Sequence, residues 1–210
     1  MKKRNLILGA GLLLAFAAWT AAVRMVDVQP IGPGGSMVGF AAMNRWVHDF
    51  TGVNWMLYAI TDWLGLVPLA VVAGFGILGL CQWGCRRSLR KVDRNILVLG
   101  GFYGVVLGVF VLFEKLVINY RPVLIAGVLE ASYPSSTTML ALCVMPTAAM
   151  QLWGRLHKGA LRSLTLIGIA VFTVFMVVGR LLSGVHWVSD IVGGILLSGG
   201  LVMCYRALAE

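Results

Sequence analysis

The chain has 210 residues, of which 60% are apolar and only 12% charged, and its mean hydropathy is +0.90. A charged share about half the usual ~25% excludes a water-soluble globule, which would lack polar surface, and a disordered chain, which needs low hydrophobicity and high charge. The net charge of +9 comes from 17 basic and 8 acidic residues; the basic ones sit in short clusters between apolar runs, the pattern of membrane orientation and not of nucleic-acid binding.

About 20 apolar residues in a helix cross a hydrocarbon core ~30 Å thick. The first such run is 6–23, preceded by Lys2, Lys3 and Arg4. It is long for a signal-peptide core, so it reads as a retained anchor, although Ala17, Ala18, Ala21 and Ala22 offer small residues for cleavage. A turn-rich stretch, 29–36, follows. Over 37–54, Arg45, His48 and Asp49 share one helical face, which predicts an amphipathic helix lying in the interface. The second span is read at 63–83, ending in the charge run 86–94, and the third at 95–118, with Glu114 and Lys115 near its far end. A loop over 120–133 carries Arg121, Pro122 and Glu130. The fourth span is 135–153, the fifth runs from 164 to 178 and on toward 182, and the sixth is 190–208. Cys81, Cys85, Cys143 and Cys204 follow no disulfide or zinc spacing and read as small apolar residues.

The expectation is an all-α, six-helix transmembrane bundle with an interfacial amphipathic helix between the first two spans, forming a single domain over 1–210. Placing both termini and the connections 84–94 and 154–163 on one side puts 12 of the 17 basic residues there. By the positive-inside rule that side is cytoplasmic. The short basic loops fit the plasma (inner) membrane of a bacterial cell.

Three segments far apart in sequence then end at the same depth on the outer side: 115–122, 133–138 and 180–190. Between them they carry Lys115, Arg121, Arg180, His186 and Asp190. A single charge at a span end often snorkels to the interface, but ionisable residues kept at membrane depth mark functional sites. Guanidinium forks suit phosphate oxygens. Pro134, Ser135 and Ser136, followed by Thr137 and Thr138, open the fourth span, and a helix start with free N–H groups and small hydroxyls suits an anion or simply caps the helix. His186 and Asp190, at a spacing of four, face the same way on a helix, so the carboxylate holds one imidazole nitrogen and frees the other as nucleophile or base.

This constellation resembles the type-2 phosphatidic acid phosphatase superfamily, which includes membrane lipid phosphatases and soluble haloperoxidases. Its third motif is Ser-Arg, five residues, His, three residues, Asp; here Gly179, Arg180, His186 and Asp190 stand at that spacing, with Gly179 the one departure. The resemblance implies His186 as a nucleophile forming a phosphohistidine, Asp190 orienting it and Arg180 holding phosphate oxygens. The first motif is Lys, six residues, Arg-Pro. Arg121-Pro122 is present, Glu114 occupies the lysine spacing and Lys115 lies one residue closer. The second is Pro-Ser-Gly-His; here Pro134-Ser135-Ser136-Thr137 puts Thr137 at the position of the residue that protonates the leaving oxygen.

The expected sites are therefore His186, Asp190, Arg180 and Thr137 for catalysis and Lys115, Arg121, Pro134, Ser135 and Ser136 for substrate. No metal or cofactor is implied; the partner is a membrane lipid phosphate, and the oligomeric state is open. Hydroxyls are poor proton sources near neutral pH, and general acid help is typically ~10²–10⁴-fold. Thr137 thus leaves three alternatives: an inactivated variant, a diphosphate substrate whose leaving group needs less protonation, or another acid such as His48 or Glu130. A non-catalytic head-group binder or transporter component is the reading from a different class.

Overall fold

The computed structural model describes residues 1–210 and is all-helical. Eight α-helices follow in order: α1 (Lys2–Met25), α2 (Ala41–Thr51), α3 (Trp55–Leu64), α4 (Leu66–Arg86), α5 (Arg94–Lys115), α6 (Ser136–Arg155), α7 (Ala160–Leu182) and α8 (Val188–Ala209). Six of them, α1 and α4 to α8, are 20 to 24 residues long, or about 30–36 Å at ~1.5 Å per residue, enough for the hydrocarbon core. By length and apolar composition five stretches qualify as membrane spans: α1, α3 with α4, α5, α7 and α8. The sixth, α6, packs against α4, α5, α7 and α8. Enclosed in this way it needs no lipid-facing surface and carries buried Thr138, Thr147 and Gln151. This is a multi-pass membrane protein.

The first and last helices clasp each other along their length. At one end Asn5 Nδ2 donates to Glu210 at 3.1 Å; at the other Trp19 Nε1 donates to the Ser189 carbonyl at 3.0 Å. The end holding both termini also gathers Asp93, Arg155 and Arg206 around one polar cleft. The opposite end collects the starts of α6 and α8 and the ends of α5 and α7.

Two boundaries differ from the sequence reading. The segment 37–54 holds a shorter α2, and its buried face is Ala41 and Asn44, with His48 half-buried, whereas Arg45 and Asp49 are exposed. Asn44 turns that face inward, because its amide bonds the Gly39 carbonyl at 2.7 Å and Ser189 Oγ at 3.0 Å. Trp46 and Phe50 project outward instead, at 72% and 82% exposure, as an interfacial helix requires. The second difference is α3, which the apolar run beginning at 63 concealed. Asn54 caps it by accepting from Leu57 N at 2.9 Å, and a turn at Gly65 separates it from α4.

The loop between α5 and α6 folds back on itself. Arg121 N donates to the Glu130 carbonyl and Ser132 N to the Asn119 carbonyl, each at 3.0 Å, with a tight turn at 125–128. Pairing these two arms sets Asn119 and Arg121 beside Glu130 and Ser132. The connection from α7 to α8 is equally constrained. Gly184 has φ +68°, and a side chain there would collide with the backbone of Gly52, so glycine is required both by conformation and by space.

Candidate active site

Helices α3 and α5 to α8, with the loop between α5 and α6 and the turn between α7 and α8, deliver the polar residues of the site end. The turn after α7 presents His186, which is 3% exposed. Its Nε2 lies 3.2 Å from an Arg121 guanidinium nitrogen and 3.4 Å from one of Arg180. Guanidinium groups only donate, so Nε2 is the acceptor in both contacts and holds an unprotonated lone pair. The ring proton therefore resides on Nδ1, which faces Asp190 Oδ2 at 3.8 Å. Burial, reinforced by the charges of Arg121 and Arg180, holds the His186 imidazolium well below the ordinary value of 6.5. The result is a neutral imidazole whose free nitrogen faces two cations.

Asp190 is turned toward His186 by its own helix. It lies in the first turn of α8 and accepts from Trp187 N at 3.0 Å, satisfying an N–H that has no intrahelical acceptor. Its other oxygen accepts from Asn119 Nδ2 at 3.2 Å. Asn119 also reaches Ser189 Oγ, which Asn44 of α2 bonds from the far side. One buried chain of amides and hydroxyls thus ties α2, the folded-back loop and α8 to a single carboxylate. Trp187 Nε1 adds a bond to the Tyr120 carbonyl at 2.7 Å, fastening the neighbour of His186 to the neighbour of Arg121.

Each arginine is braced from behind by a carboxylate. Arg121 Nε pairs with Glu130 at 3.0 Å. Arg180, 1% exposed, pairs with Asp62 at 3.6 Å, approaches Thr61 Oγ1 at 3.4 Å and lies over the Tyr58 ring at 5.1 Å. All three partners of Arg180 come from α3. Gly179 explains how α3 gets so close: a Cβ there would stand 2.8 Å from the Thr61 methyl. The glycine that departs from the third motif makes room for the helix that holds the next residue's guanidinium.

The start of α6 completes the enclosure. Ser135 is buried and its N–H bonds the Asp190 carbonyl at 3.2 Å, which locks the α6 start to α8. The hydroxyls of Ser132, Ser135 and Thr138, with His186 Nδ1 and Arg180 Nε, are buried without a hydrogen-bond partner. Buried polar groups are nearly always paired. Ser132 and His186 share one cavity, so these polar groups lie where a polar ligand can reach them.

A small cavity of about 20 Å³ lies against His186, lined also by Ser132, Pro134, Ser136, Phe110 and Glu114. It adjoins two larger spaces through Phe110. One, about 320 Å³, is walled entirely by apolar side chains of α4, α5 and α6, among them Leu69, Val106 and Leu140. The other, about 580 Å³, is the outer cleft, with Glu114, Tyr120, Arg121 and Glu130 in its walls.

Of the residues expected from sequence, His186, Asp190, Arg180, Arg121, Pro134, Ser135 and Ser136 are brought together. Lys115 is not: it is exposed at the end of α5 and lines none of these spaces, while Glu114 faces the cavity beside His186. A helix turns about 100° per residue, so the one-residue slip carries Lys115 to another face. Thr137 is half-buried, its methyl next to Gly65, and it does not line the His186 cavity. His48 lies tilted against Trp187, at 5.5 Å between centroids and 57° between ring planes, and Glu130 pairs with Arg121. Asn119, Ser132, Thr61 and Asp62 were not anticipated. Asn119 lies two residues before Arg121, and polar residues on either side of such an arginine were the available signal.

The family model described as the PAP2 superfamily matches residues 70–209. Among solved structures, this fold is similar to one described as the first transmembrane PAP2 type phosphatidylglycerolphosphate phosphatase from Bacillus subtilis. The TM-score is 0.66 at 18% identity, over 95% of this chain and 94% of that one. No curated protein matches the chain in sequence.

Proposed function

We propose, on the premise that this chain belongs to the PAP2 superfamily, that it hydrolyses a phosphate monoester or diphosphate on a membrane lipid. The observation that carries this reading is the convergence of His186 Nε2 on two guanidinium groups, with a carboxylate facing the other ring nitrogen. Phosphoryl oxygens entering between Arg121 and Arg180 take over the contacts these now make with the imidazole. The Nε2 lone pair then attacks phosphorus, and the phosphorus–oxygen bond to the lipid breaks with its electron pair on the leaving oxygen. As Nε2 forms its bond the ring gains positive charge, which Asp190 stabilises from the Nδ1 side. The resulting phosphohistidine is then hydrolysed by water. Arg121, Arg180 and the free N–H groups at the start of α6 hold the charge on the transferring group. Charge neutralisation of this kind is the main work in phosphoryl transfer, and these cations supply it.

The lipid tail fits the apolar space that opens at Phe110. A second apolar groove of about 370 Å³, which reaches Ile96, shares Val72 and Tyr103 in its wall. From Phe110 to Ile96 is 14 residues of α5, about 21 Å of depth at ~1.5 Å per residue. A long acyl or isoprenyl chain uses that depth. The site lies at the end of the bundle opposite the termini and the basic connections, and by the positive-inside rule this supports an extracytoplasmic site. The whole chain, 1–210, acts as one unit in this reading.

Purified protein supplied with long-chain lipid mono- and diphosphates should release phosphate, and His186→Ala should abolish the release. Turnover that survives His186→Ala would overturn the reading. Thr137 favours a second one, a head-group binder without turnover; inert wild-type protein that still binds the lipids would select it.

A further inference from the structure

We infer that Glu114 is the base that activates water when the phosphohistidine is hydrolysed, an inference that rests on the reading of His186 as nucleophile. Three carboxylates surround the site besides Asp190, and their placement separates them. Glu130 is engaged by Arg121 Nε on the side away from His186, and Asp62 by Arg180 in the same manner. Glu114 makes no ion pair and lines the cavity that His186 itself lines. Its other neighbours there are apolar side chains together with Ser132, Tyr133 and Ser136. The Tyr133 hydroxyl is committed to Thr20 at 2.7 Å. Among these side chains only the carboxylate is suited to take a proton from water.

The size of the cavity fits the step. At about 20 Å³ it accommodates roughly one water. A water displacing Nε2 from phosphorus must approach from the side of the phosphoryl group away from the ring, and the carboxylate in the wall of the water-sized cavity beside His186 belongs to Glu114. The same side chain lines the outer cleft and is exposed, so a captured proton has a direct route to solvent.

In the step, a water oxygen forms a bond to phosphorus while the phosphorus–Nε2 bond breaks and returns its electron pair to the ring. One water proton passes to the Glu114 carboxylate and the other remains on the released hydrogen phosphate. His186 is left neutral with its proton on Nδ1, as at the start, and Glu114 discharges to the cleft. The sequence thus places a proton acceptor where the first motif of the family it resembles has a cation.

The test separates the two half-reactions. Full-length protein is mixed with a long-chain isoprenyl diphosphate radiolabelled on its terminal phosphate and quenched on a millisecond-to-second scale. Its leaving group is a phosphate and needs little protonation. Glu114→Gln should form acid-labile phosphoprotein at close to the wild-type rate and accumulate it. Its steady-state turnover should fall by roughly 10²–10⁴-fold. Added formate should restore part of the turnover of Glu114→Ala. The inference is overturned if Glu114→Gln turns over like wild type, or if it loses formation and breakdown of the phosphoprotein together. A wild-type protein that hydrolyses the probe without an acid-labile phosphoprotein, or a His186→Ala variant that still turns over, would instead overturn the underlying reading.

Discussion

Asn119→Ala removes one of the hydrogen bonds that hold the Asp190 carboxylate. The deleted amide donates to Asp190 Oδ1 at 3.2 Å and approaches Ser189 Oγ at 3.4 Å, and the carboxylate keeps its bond from Trp187 N. Asn119 is 1% exposed and Asp190 fully buried, so bulk water does not replace the lost donor. A hydrogen bond to a charged group contributes about 1.5–3 kcal/mol. The carboxylate matters most as the imidazole gains positive charge, so the loss should appear largely in the transition state. That gives a fall of roughly 10- to 150-fold in kcat/KM, carried by kcat and not by KM. The assay is phosphate release over a lipid concentration series, with a thermal unfolding scan of the same preparation. Asn44→Ala is the control: it cuts the tether between α2 and α8 without touching Asp190. It should lower the unfolding temperature while costing less in kcat. A folded Asn119→Ala protein with kcat/KM within about twofold of wild type would refute the positioning role assigned to this amide.

Two further outcomes are expected. His186 is held neutral below the ordinary 6.5, and the nucleophile must be unprotonated, so kcat/KM should stay level as pH falls through 6.5 and decline only at lower pH; a pH–rate profile with its acid limb at 6.5 would contradict this. For stability the same shift acts against folding: below 6.5 the unfolded chain takes up a proton that the folded His186 refuses, so the contribution of this group to folding weakens as pH falls. Gly179→Ser restores the third-motif residue but drives its Cβ to 2.8 Å from Thr61. Overpacking typically costs ~1–3 kcal/mol, so thermal stability should drop and a cysteine probe at Tyr58 should become more reactive as α3 lifts from Arg180.

The helical architecture was largely legible, because apolar runs of span length have few alternatives in a chain this poor in charge. Spacing alone also pointed to Arg180, His186 and Asp190, since these belong to one short stretch. What escaped depends on approach between distant segments. α3 was hidden because residues 55–64 continue the apolar character of α4, and only the turn at Gly65 divides them; the bracing of Arg180 by Asp62 was hidden with it. Lys115 lies outside the cavity that Glu114 lines because the choice between two adjacent residues is a choice of helix face, and a motif match does not resolve it. Asn119 escaped for another reason. Its partner lies 71 residues away, and a lone asparagine in a loop reads as turn chemistry unless that pairing is known.

The clasp of α1 with α8 bears on how such a protein is made. The ribosome delivers α1 long before α8, and the bond between Asn5 and Glu210 joins residues 205 positions apart in the sequence. Contacts of such large sequence separation form late and slowly. Throughout synthesis α1 must therefore wait in the bilayer with its mating face uncovered. Asp190, whose carboxylate faces His186 at 3.8 Å, arrives on the very helix that ends the wait, so in the proposed reading competence for chemistry and closure of the molecule should come in a single event.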